Sequence, residues 1–305
     1  MSLNLKYRPT TLDEIRGNSD VVSTLEGLLS DLSTCPHSFI FYGQTGTGKT
    51  TLARIIADRL EIKGNDLSEI NVADLRGIDT IREIIKQSQY CPLEGERRMW
   101  ILDEFHKATS DAQNALLKIL EEPSAHVYFI ICTTDPQKLL STIRGRCSQF
   151  QTKPLNEHQM YGLLRHVIKG EGEELTKEIY DQIIQNSSGL PRNALVTLEQ
   201  VLSVSPEQRL EVAKQVSAEQ NEVKELCRAL LDRKSWKEVA KILEGLKDQE
   251  PESVRRAVLG YCQAVLLGGG RNDVAAAIIE VFWNPLYDIG RPGLTYACYS
   301  IINGK

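Results

Sequence analysis

The stretch Phe39-Ile40-Phe41-Tyr42-Gly43-Gln44-Thr45-Gly46-Thr47-Gly48-Lys49-Thr50 joins an apolar run to a glycine-rich loop, and an amphipathic helical pattern follows it to Leu60. Glycines let successive backbone N–H groups turn inward around phosphate oxygens. A helix beginning near Lys49 adds the positive end of its dipole, Lys49 can reach the β- and γ-phosphates, and the Thr50 hydroxyl can ligate Mg²⁺. Because a strand precedes the loop and a helix follows it, we favour a nucleotide site over a turn that binds nothing. The residues of this predicted site are Gly43, Gln44, Thr45, Gly46, Thr47, Gly48, Lys49, Thr50 and Thr51.

A second apolar run, Met99-Trp100-Ile101-Leu102, ends in Asp103-Glu104. A continuous apolar run is typical of a buried parallel strand, and ligands of open α/β sheets bind at the carboxyl edge of such strands. Asp103 can therefore hold Mg²⁺ through water, and Glu104 can polarise the water that attacks the γ-phosphorus. Two acids closing an unrelated strand would only face solvent, but the upstream phosphate-binding loop favours the catalytic interpretation.

Two further segments could contact the same nucleotide. The apolar run over residues 127–132 ends in Thr133-Thr134-Asp135, and Thr134 is our candidate for sensing the γ-phosphate. The alternative is an ordinary turn-forming threonine. Near the N-terminus, Tyr7 and Arg8 could bracket the base, although Tyr7 could equally pack the chain terminus. Because Pro9 disfavours a helical Arg8, we expect residues 5–9 to be extended and a helix to follow through residues 21–28.

The segment between these strands carries a pair of cations. Its pattern predicts a strand over 70–72, a turn over 74–79 and a helix over 80–89, with isoleucines marking the buried helix face. Arg82 and Lys86 are four residues apart and share another face. On an exposed helix such a pair is usually solvated surface, so contact with nucleic-acid phosphate is the second interpretation at this point.

Composition limits the functional classes. The formal net charge of −5 argues against a protein that coats nucleic acid with its whole surface, although a local basic strip is compatible with it. No apolar run approaches a membrane span, and residues 1–10 lack the apolar core of a signal peptide, so we expect an intracellular protein. The seven cysteines are scattered and odd in number, which favours reduced thiols over a zinc site or a disulfide framework.

At 305 residues the chain exceeds one ordinary core, and Pro154 marks a change to wholly helical periodicity. We therefore predict an α/β domain with a doubly wound parallel sheet over 1–155, a three-helix unit over 156–204 and a second all-α domain over 205–305. Pro191 stands near the first position of the third helix of the unit. The helices predicted beyond Pro154 cover 157–169, 176–186, 192–202, 208–216, 223–231, 236–246, 253–267, 274–282 and 294–302.

Six motifs, in their order along the chain, resemble those of the AAA+ ATPase subunits of sliding-clamp loaders. The resemblance is closest to bacterial DNA polymerase III gamma/tau subunits, whereas Arg76-Gly77-Ile78-Asp79 resembles the small subunits of replication factor C. It is dense over residues 4–155, good through Arg192 and weak in the last hundred residues. The motifs are Lys6-Tyr7-Arg8-Pro9, Gly43 to Thr50, Leu102-Asp103-Glu104-Phe105-His106, Asn114-Ala115-Leu116-Leu117-Lys118-Ile119-Leu120-Glu121-Glu122-Pro123, Thr133-Thr134-Asp135-Pro136-Gln137-Lys138 and Gly145-Arg146-Cys147.

The resemblance implies a P-loop AAA+ fold, a three-helix lid and a C-terminal helical collar through which subunits assemble. It implies that Arg146 is an arginine finger, inserted into the ATP site of a neighbouring subunit, where a guanidinium stabilises the charge of the transition state. It also implies that Thr134 is the first sensor and that Arg192, after Pro191, is the second sensor reaching from the lid to the nucleotide.

For the surface of the α/β domain, the resemblance implies contacts with macromolecules. Arg76, Arg82 and Lys86 fall where the family tracks the DNA backbone, so phosphate contact becomes the favoured interpretation for them. The element containing Gln89, Tyr90, Pro92 and Leu93 resembles the one that touches the clamp, with Tyr90 and Leu93 as candidate apolar anchors. Plain packing of these two side chains is an equal alternative.

The sequence departs from the family in two places. Gly145 stands where the family usually has serine, which implies a more mobile finger loop. The bacterial subunit carries a four-cysteine zinc module after the phosphate-loop helix, whereas residues 61–69 are short and contain no cysteine. We therefore discard a zinc role, and the chain is compatible with a phage or another divergent replication system.

The resulting hypothesis is an ATP-hydrolysing, Mg²⁺-dependent clamp-loader subunit in the cytoplasm of a bacterial cell or phage-infected host. Its expected partners are other loader subunits in a five-position ring or spiral, a sliding clamp and primer-template DNA, and no membrane. Two alternatives stay open: a different AAA+ motor such as a branch-migration helicase, and a non-hydrolysing scaffold subunit of the loader.

Overall fold

The computed structural model describes residues 2–74, 77–268, 272–286 and 289–303, and within them leaves out the side chains of residues 215–222 and 248. The chain divides into two compact units, Met1–Pro206 and Glu207–Lys305. The predicted boundaries at residues 155 and 204 stay predictions. Among the described helices, none combines the length and the apolar character that crossing a bilayer requires.

The first unit is built on a parallel sheet of five strands in the order β2-β3-β4-β1-β5. The central strand β4 is buried along its whole length, as its unbroken apolar sequence predicts, whereas the edge strand β2 is partly exposed. The doubly wound parallel sheet is therefore confirmed. The strands are β1 (Ser38–Tyr42), β2 (Leu67–Asn71), β3 (Arg98–Asp103), β4 (Val127–Thr133) and β5 (Ser148–Gln151).

Alternate residues of the strands supply a separate core on each face of the sheet. Phe39 and Phe41 of β1 face one core with Ile56, while Ile40 between them faces the other with Trp100. Helices cover both faces, so the two cores exclude water from both sides of the sheet. The helices of this unit are α1 (Leu3–Lys6), α2 (Ser19–Ser30), α3 (Lys49–Arg59), α4 (Ile78–Gln87), α5 (Ser110–Glu121), α6 (Ser141–Arg144), α7 (Glu157–Glu171), α8 (Lys177–Ser187) and α9 (Pro191–Leu202).

The strand register brings three chain segments to one edge of the sheet. Tyr42 lies opposite Thr133, and Leu102 lies opposite Ile131. The residues that follow β1, β3 and β4 therefore emerge side by side, because parallel strands end at the same edge. These residues are the glycine-rich loop, the Asp103-Glu104 pair and the Thr133-Thr134 pair.

Three expectations for the first unit were wrong in detail. The strand predicted over 70–72 is β2, which begins earlier and spans Leu67–Asn71. Residues 5–9 are not extended throughout: α1 forms one helical turn, in which Leu3 is buried and Leu5 N–H donates to the Ser2 carbonyl. Helix α4 spans Ile78–Gln87 rather than 80–89. The carbonyl of its last residue, Gln87, accepts from Arg98 Nη1 at 2.7 Å, and the chain then turns.

The second unit is all helical, as predicted, but with one helix fewer over its first part. Residues 208–216 and 223–231 were expected to be separate helices, whereas α10 runs continuously through both. The apolar periodicity lapses between them, yet no glycine or proline interrupts the backbone. The helices are α10 (Arg209–Leu231), α11 (Trp236–Gly245), α12 (Pro251–Leu267), α13 (Asp273–Val281) and α14 (Gly290–Asn303).

A buried ion pair ties this helical unit together. The Glu252 carboxylate accepts from Arg255 Nη2 at 2.7 Å, from Arg255 Nε at 2.8 Å and from Leu286 N–H at 2.9 Å. Arg255 Nη1 donates to the Phe282 carbonyl at 2.7 Å. The pair thus fixes α12 to the segment that leads from α13 towards α14. The hydrogen bonds from Arg255 lower the pKa of Glu252 from 4.5 to about 2.

We predict that Glu252→Gln destabilises the helical unit by ~3 kcal/mol, because the substitution leaves the buried Arg255 without its counter-charge. A depressed pKa means that this stabilisation is complete above the ordinary value of 4.5 and is lost as the pH falls through about 2. The variant and the wild type should therefore converge in acid. Urea unfolding, monitored by hydrogen exchange of the α12 amides, measures the difference in the free energy of unfolding. Glu244→Gln, at an exposed position of α11, is the control, and equal stability of the two variants would contradict the prediction.

Candidate nucleotide-binding and hydrolysis site

The glycine-rich loop has a backbone that side chains would obstruct. Gly43, Gly46 and Gly48 have φ angles of 151°, 86° and 100°. A Cβ on Gly43 would collide with the Thr152 carbonyl oxygen, and a Cβ on Gly46 would lie 3.2 Å from Arg192 Cβ. Helix α3 begins directly after the loop, so its positive dipole end faces the space that the loop encloses. This cradle fits the phosphates of a nucleotide.

Lys49 lies inside the loop. Its ammonium donates to the Gly43 carbonyl at 2.9 Å and to the Gln44 carbonyl at 3.0 Å, and its side chain is buried. Burial lowers the pKa of Lys49. Anionic phosphate oxygens in the loop would act in the opposite direction and favour its charged form. Thr47 has a different part in the loop, because its hydroxyl contacts Thr152 Oγ1 and donates to the Gln44 carbonyl, which leaves its backbone as the candidate ligand.

The loop and the acidic strand end meet through one hydrogen bond. Thr50 Oγ1 donates to Asp103 Oδ2 at 2.8 Å, and Glu104 N–H donates to Asp103 Oδ1 at 2.9 Å. A hydroxyl and a single carboxylate suit Mg²⁺, which usually takes one or two carboxylates together with phosphate oxygens and water. Among the residues that the structure describes, no group of three or more His, Cys, Asp or Glu side chains forms an alternative metal cluster. Thr50 and Asp103 therefore fit the predicted ion.

Glu104 has a left-handed backbone, with φ of 53°, which is uncommon for a non-glycine residue. Its Oε2 lies 3.4 Å from His106 Nε2. The imidazole is almost completely buried and burial lowers its pKa, which favours the neutral ring. A strained backbone beside a buried imidazole is the kind of arrangement that holds a catalytic carboxylate in one orientation.

A chain of hydrogen bonds joins His106 to the end of β4. Asp135 N–H donates to Thr133 Oγ1 at 3.1 Å, and Thr133 Oγ1 lies 3.2 Å from His106 Nδ1. An ionised Glu104 carboxylate can only accept, which favours the proton on Nε2, and Thr133 Oγ1 would then donate to Nδ1. Thr134 Oγ1 is farther away, 3.5 Å from Nε2. The sensor role of Thr134 stays a prediction, and Thr133 is the residue tied to the imidazole.

A cavity of about 510 Å³ lies beside the loop, between the N-terminal segment and the lid helices. Tyr7 and Arg8 line it from one side, and Pro191 and Arg192 from the other. Tyr7 also packs the terminus: its hydroxyl donates to Glu171 Oε1 at 2.6 Å at the end of α7. Both interpretations of Tyr7 are therefore compatible with its position. The size and position of the cavity fit the nucleoside part of a nucleotide.

Cations converge on this cavity. The pKa of Arg8 is lowered, first by burial and then by the nearby Arg54, and the positive charge of Arg192 also acts on it. Arg192 is exposed in the first turn of α9, and no described residue makes a hydrogen bond or an ion pair with its guanidinium. Unneutralised positive charge next to the phosphate loop suits a polyanionic ligand.

Arg146, the predicted finger, is not among the residues lining this cavity. Its Nη2 donates to Glu121 Oε1 at 2.9 Å, and its Nη1 donates to the Thr142 carbonyl at 3.0 Å. Its Nε is buried and has no hydrogen-bond partner among the described residues. Gly145 before it has φ of −73°, and a Cβ there would meet only ordinary contacts, so the backbone does not require glycine at this position.

The predicted DNA and clamp contacts lie on α4 and the loop after it. Arg82 and Lys86 are exposed on α4, and Arg82 Nη1 lies 3.3 Å from Asp79 Oδ1. Arg76 lies outside the described residues. Tyr90 and Leu93, after the helix, are 60% and 73% exposed. These two side chains do not pack into the described part of their own chain.

Sequence reasoning missed three residues that shape the site. His106 entered only as part of a motif, although its position directly after Asp103-Glu104 could have signalled a partner for the carboxylate. Thr152 and Glu121 gave no such signal, because they approach Gly43 and Arg146 only through the fold. Long-range pairs of this kind have no local pattern.

Comparisons with known proteins agree with this geometry. A family model described as DNA polymerase III, delta subunit, matches residues 61–156. The DNA polymerase III subunit gamma/tau of Mycobacterium tuberculosis (strain ATCC 25618 / H37Rv) is 33% identical over 226 residues, which are 67% of this chain and 39% of that protein. Replication factor C subunit 3 of Blastobotrys adeninivorans is 38% identical over 198 residues, 64% of this chain and 58% of the relative. The chain thus spans less than two thirds of either relative.

Solved structures agree on the fold. RuvB of Thermotoga maritima, a Holliday junction branch migration motor, superposes with a TM-score of 0.61 over 74% of this chain and 79% of the RuvB chain. At 18% identity this similarity concerns the fold alone.

The phosphate loop, the acidic strand end and the sheet order define the class of fold, which is that of the AAA+ proteins. Within that class it is a relative of the clamp-loader subunits, along about two thirds of its length.

We predict that His106→Ala lowers the ATP turnover number about tenfold, equal to ~1.4 kcal/mol, because Glu104 loses the imidazole that orients it. ATP affinity should change little, because His106 does not line the loop or the cavity. Steady-state kinetics together with equilibrium nucleotide binding separate the two effects. His158→Ala, at an exposed position of α7, is the control. An unchanged turnover number, or a loss confined to ATP affinity, would show that His106 does not position Glu104.

Proposed function

We propose that the chain is an ATP-hydrolysing subunit of a sliding-clamp loader, which opens a clamp and loads it onto primer-template DNA. One observation carries the proposal. Lys49, Thr50, Asp103 and Glu104 come together where the phosphate loop meets the end of β3, whereas the described hydrogen bonds of Arg146 go to Glu121 and Thr142 and to none of these four residues. A site that has its binding and base groups but lacks its own transition-state cation suits completion by a neighbouring subunit.

Each of these residues has a separate role in the proposed hydrolysis of ATP. The phosphate loop and Lys49 hold the triphosphate, and Glu104 orients and polarises the attacking water. Thr50 and Asp103 would hold Mg²⁺, which neutralises charge that develops on the phosphate oxygens. Thr134 and Arg192 act as sensors, from the end of β4 and from the first turn of α9 respectively. Hydrolysis of ATP to ADP and phosphate then releases the clamp and the DNA.

The finger comes from the neighbour. Arg146 of one subunit reaches the phosphate loop of the next and stabilises the γ-phosphoryl group in the transition state. The ion pair between Arg146 and Glu121 is partly exposed, so replacing it by a contact with phosphate would cost little free energy.

The names of the relatives support the choice of partners. A polymerase III subunit and a replication factor C subunit point to a loader with several subunits, a clamp and primer-template DNA. By resemblance the ring has five positions and the helical unit 207–305 forms its collar. We place the chain in the cytoplasm of a bacterial cell or phage-infected host. Arg76, Arg82 and Lys86 contact the DNA backbone, which carries no sequence information and suits action at any primer junction.

Two other functions are disfavoured by specific residues. A branch-migration motor shares the fold, but the Gly145-Arg146-Cys147 context resembles that of clamp loaders rather than that of the motor. A non-hydrolysing scaffold subunit would not need Glu104, whereas here Glu104 is kept beside His106. Glu104→Gln should therefore abolish turnover in a loader and change nothing in a scaffold.

The dependence on a neighbour can be measured directly. The isolated chain should bind ATP but turn it over at least ~10³-fold more slowly than the assembly with clamp and primer-template DNA, and Arg146→Ala should reduce the assembly to the slow rate. The variant should leave the ATP affinity of its own chain unchanged, since Arg146 does not line its own cavity. Arg144→Ala is the neighbouring control. An isolated chain that matches the assembly in turnover would rule out a finger supplied in trans.

The DNA-facing role of α4 makes a separate prediction. Replacing Arg82 and Lys86 together by alanine should weaken DNA binding equally for unrelated sequences, and should reduce the salt dependence of log K by about 1 for each lost phosphate contact. Titration of primer-template DNA at several salt concentrations measures both effects. Lys177→Ala on the exposed face of α8 is the control. If the double variant keeps the wild-type salt slope, these residues are solvated surface.

A further inference from the structure

The loop between α4 and β3 exposes two apolar side chains on a backbone that is tied down at many points. Tyr90 and Leu93 are 60% and 73% exposed. Single exposed apolar residues are common on protein surfaces and need no explanation by themselves. What distinguishes this pair is the set of side chains that hold the loop from below.

Asp66 holds the second half of the loop. Its carboxylate accepts from Leu93 N–H at 2.7 Å, from Glu94 N–H at 2.7 Å and from Gly95 N–H at 3.1 Å. The carboxylate is buried and also accepts from Arg98 Nη2 at 3.1 Å. Burial alone would raise the pKa of Asp66, but these donors outweigh it and hold the pKa below its usual value.

Arg98 and His126 hold the first half. Arg98 Nη1 donates to the Gln87 carbonyl at 2.7 Å, where α4 ends. His126 Nε2 lies 3.1 Å from the Tyr90 carbonyl, and because a carbonyl only accepts, that nitrogen carries the proton. The three side chains therefore bond the backbone of both exposed anchors, at the Tyr90 carbonyl and the Leu93 N–H, and the backbone on either side of them, at Gln87, Glu94 and Gly95.

We propose that Asp66, Arg98 and His126 form a positioning cluster that preorganises Tyr90 and Leu93 for insertion into an apolar cleft of a partner protein. This rests on the proposed function, under which the partner is the sliding clamp. A buried ion pair contributes little net stability when both partners are present. In this loop the donors and acceptors of Asp66 and Arg98 make hydrogen bonds to the loop backbone. These bonds reduce the entropy that is lost when Tyr90 and Leu93 are immobilised on binding.

The charge around the anchors favours protein over nucleic acid. Glu94 and Glu96 are exposed beside Leu93, and the Glu96 side chain is 88% accessible. These carboxylates would repel a phosphate backbone. The loop therefore suits an apolar cleft whose rim is neutral or basic, and not the DNA that α4 is proposed to contact.

The test compares Asp66→Asn with the wild type as full-length chains. We expect Asp66→Asn to weaken binding to the candidate sliding clamp from the same source, with an ATP analogue present, by about tenfold. Amide exchange at residues 93–95 should accelerate, and ATP affinity should stay within twofold. In the Asp66→Asn background, Leu93→Ala should add less than it does alone, because the anchor has already lost its fixed position. Asp20→Asn, which removes a surface ion pair with Lys153, is the matched control.

A folding defect is separated from a positioning defect by a milder variant. His126→Ala removes only the bond to the Tyr90 carbonyl and should weaken clamp binding in the same direction, with unchanged thermal unfolding. Wild-type clamp affinity in both Asp66→Asn and His126→Ala, while Leu93→Ala binds weakly, would overturn the positioning cluster and leave the proposed function standing. If the wild-type chain itself does not bind the clamp, the proposed function fails and the inference falls with it.

Discussion

The hydrogen bond between Thr50 and Asp103 is the contact on which the site depends. It joins the first turn of α3 to the end of β3, two segments separated by more than fifty residues, at a distance of 2.8 Å. The parallel register makes this possible, because it brings the ends of β1, β3 and β4 to one edge of the sheet. The proposed chemistry depends on that edge, because it brings together three groups. They are the loop proposed to bind phosphate, the carboxylates proposed to hold Mg²⁺ and polarise water, and the threonine proposed to sense the γ-phosphate. A sheet of another strand order would scatter the same residues.

Sequence patterns were sufficient wherever a local rule decides the structure. The strands β1, β3 and β4, the loop and α3 follow from apolar runs and glycine positions, and the two sheet faces follow from the alternation of Phe39, Ile40 and Phe41. Patterns failed at α10, where polar residues interrupt the apolar period but leave a helical backbone, and at α1, where a buried Leu3 stabilises one turn. At α1 the tertiary context decided, whereas at α10 the helix continues because no glycine or proline interrupts its backbone.

The candidate site divides in the same way. The residues of the loop and the acidic pair could be named from their spacing, and His106, two residues after Glu104, could have been found in the same way. Glu121 beside Arg146 and Asp66 beneath Leu93 are pairs that exist only after folding. These partners share one property: each one holds a group in a fixed orientation. The sensor roles of Thr134 and Arg192 come from the resemblance and stay predictions.

The contact between Tyr7 and α7 has a consequence for how the chain can vary. Gly170 lies directly against the Tyr7 ring, and any added Cβ would collide with the hydroxyl that donates to Glu171. A larger residue at 170 would therefore displace the tyrosine and alter the wall of the cavity on the opposite side of the ring. The tyrosine at position 7 thus restricts position 170 to glycine, and a side chain at 170 would require a smaller residue at position 7.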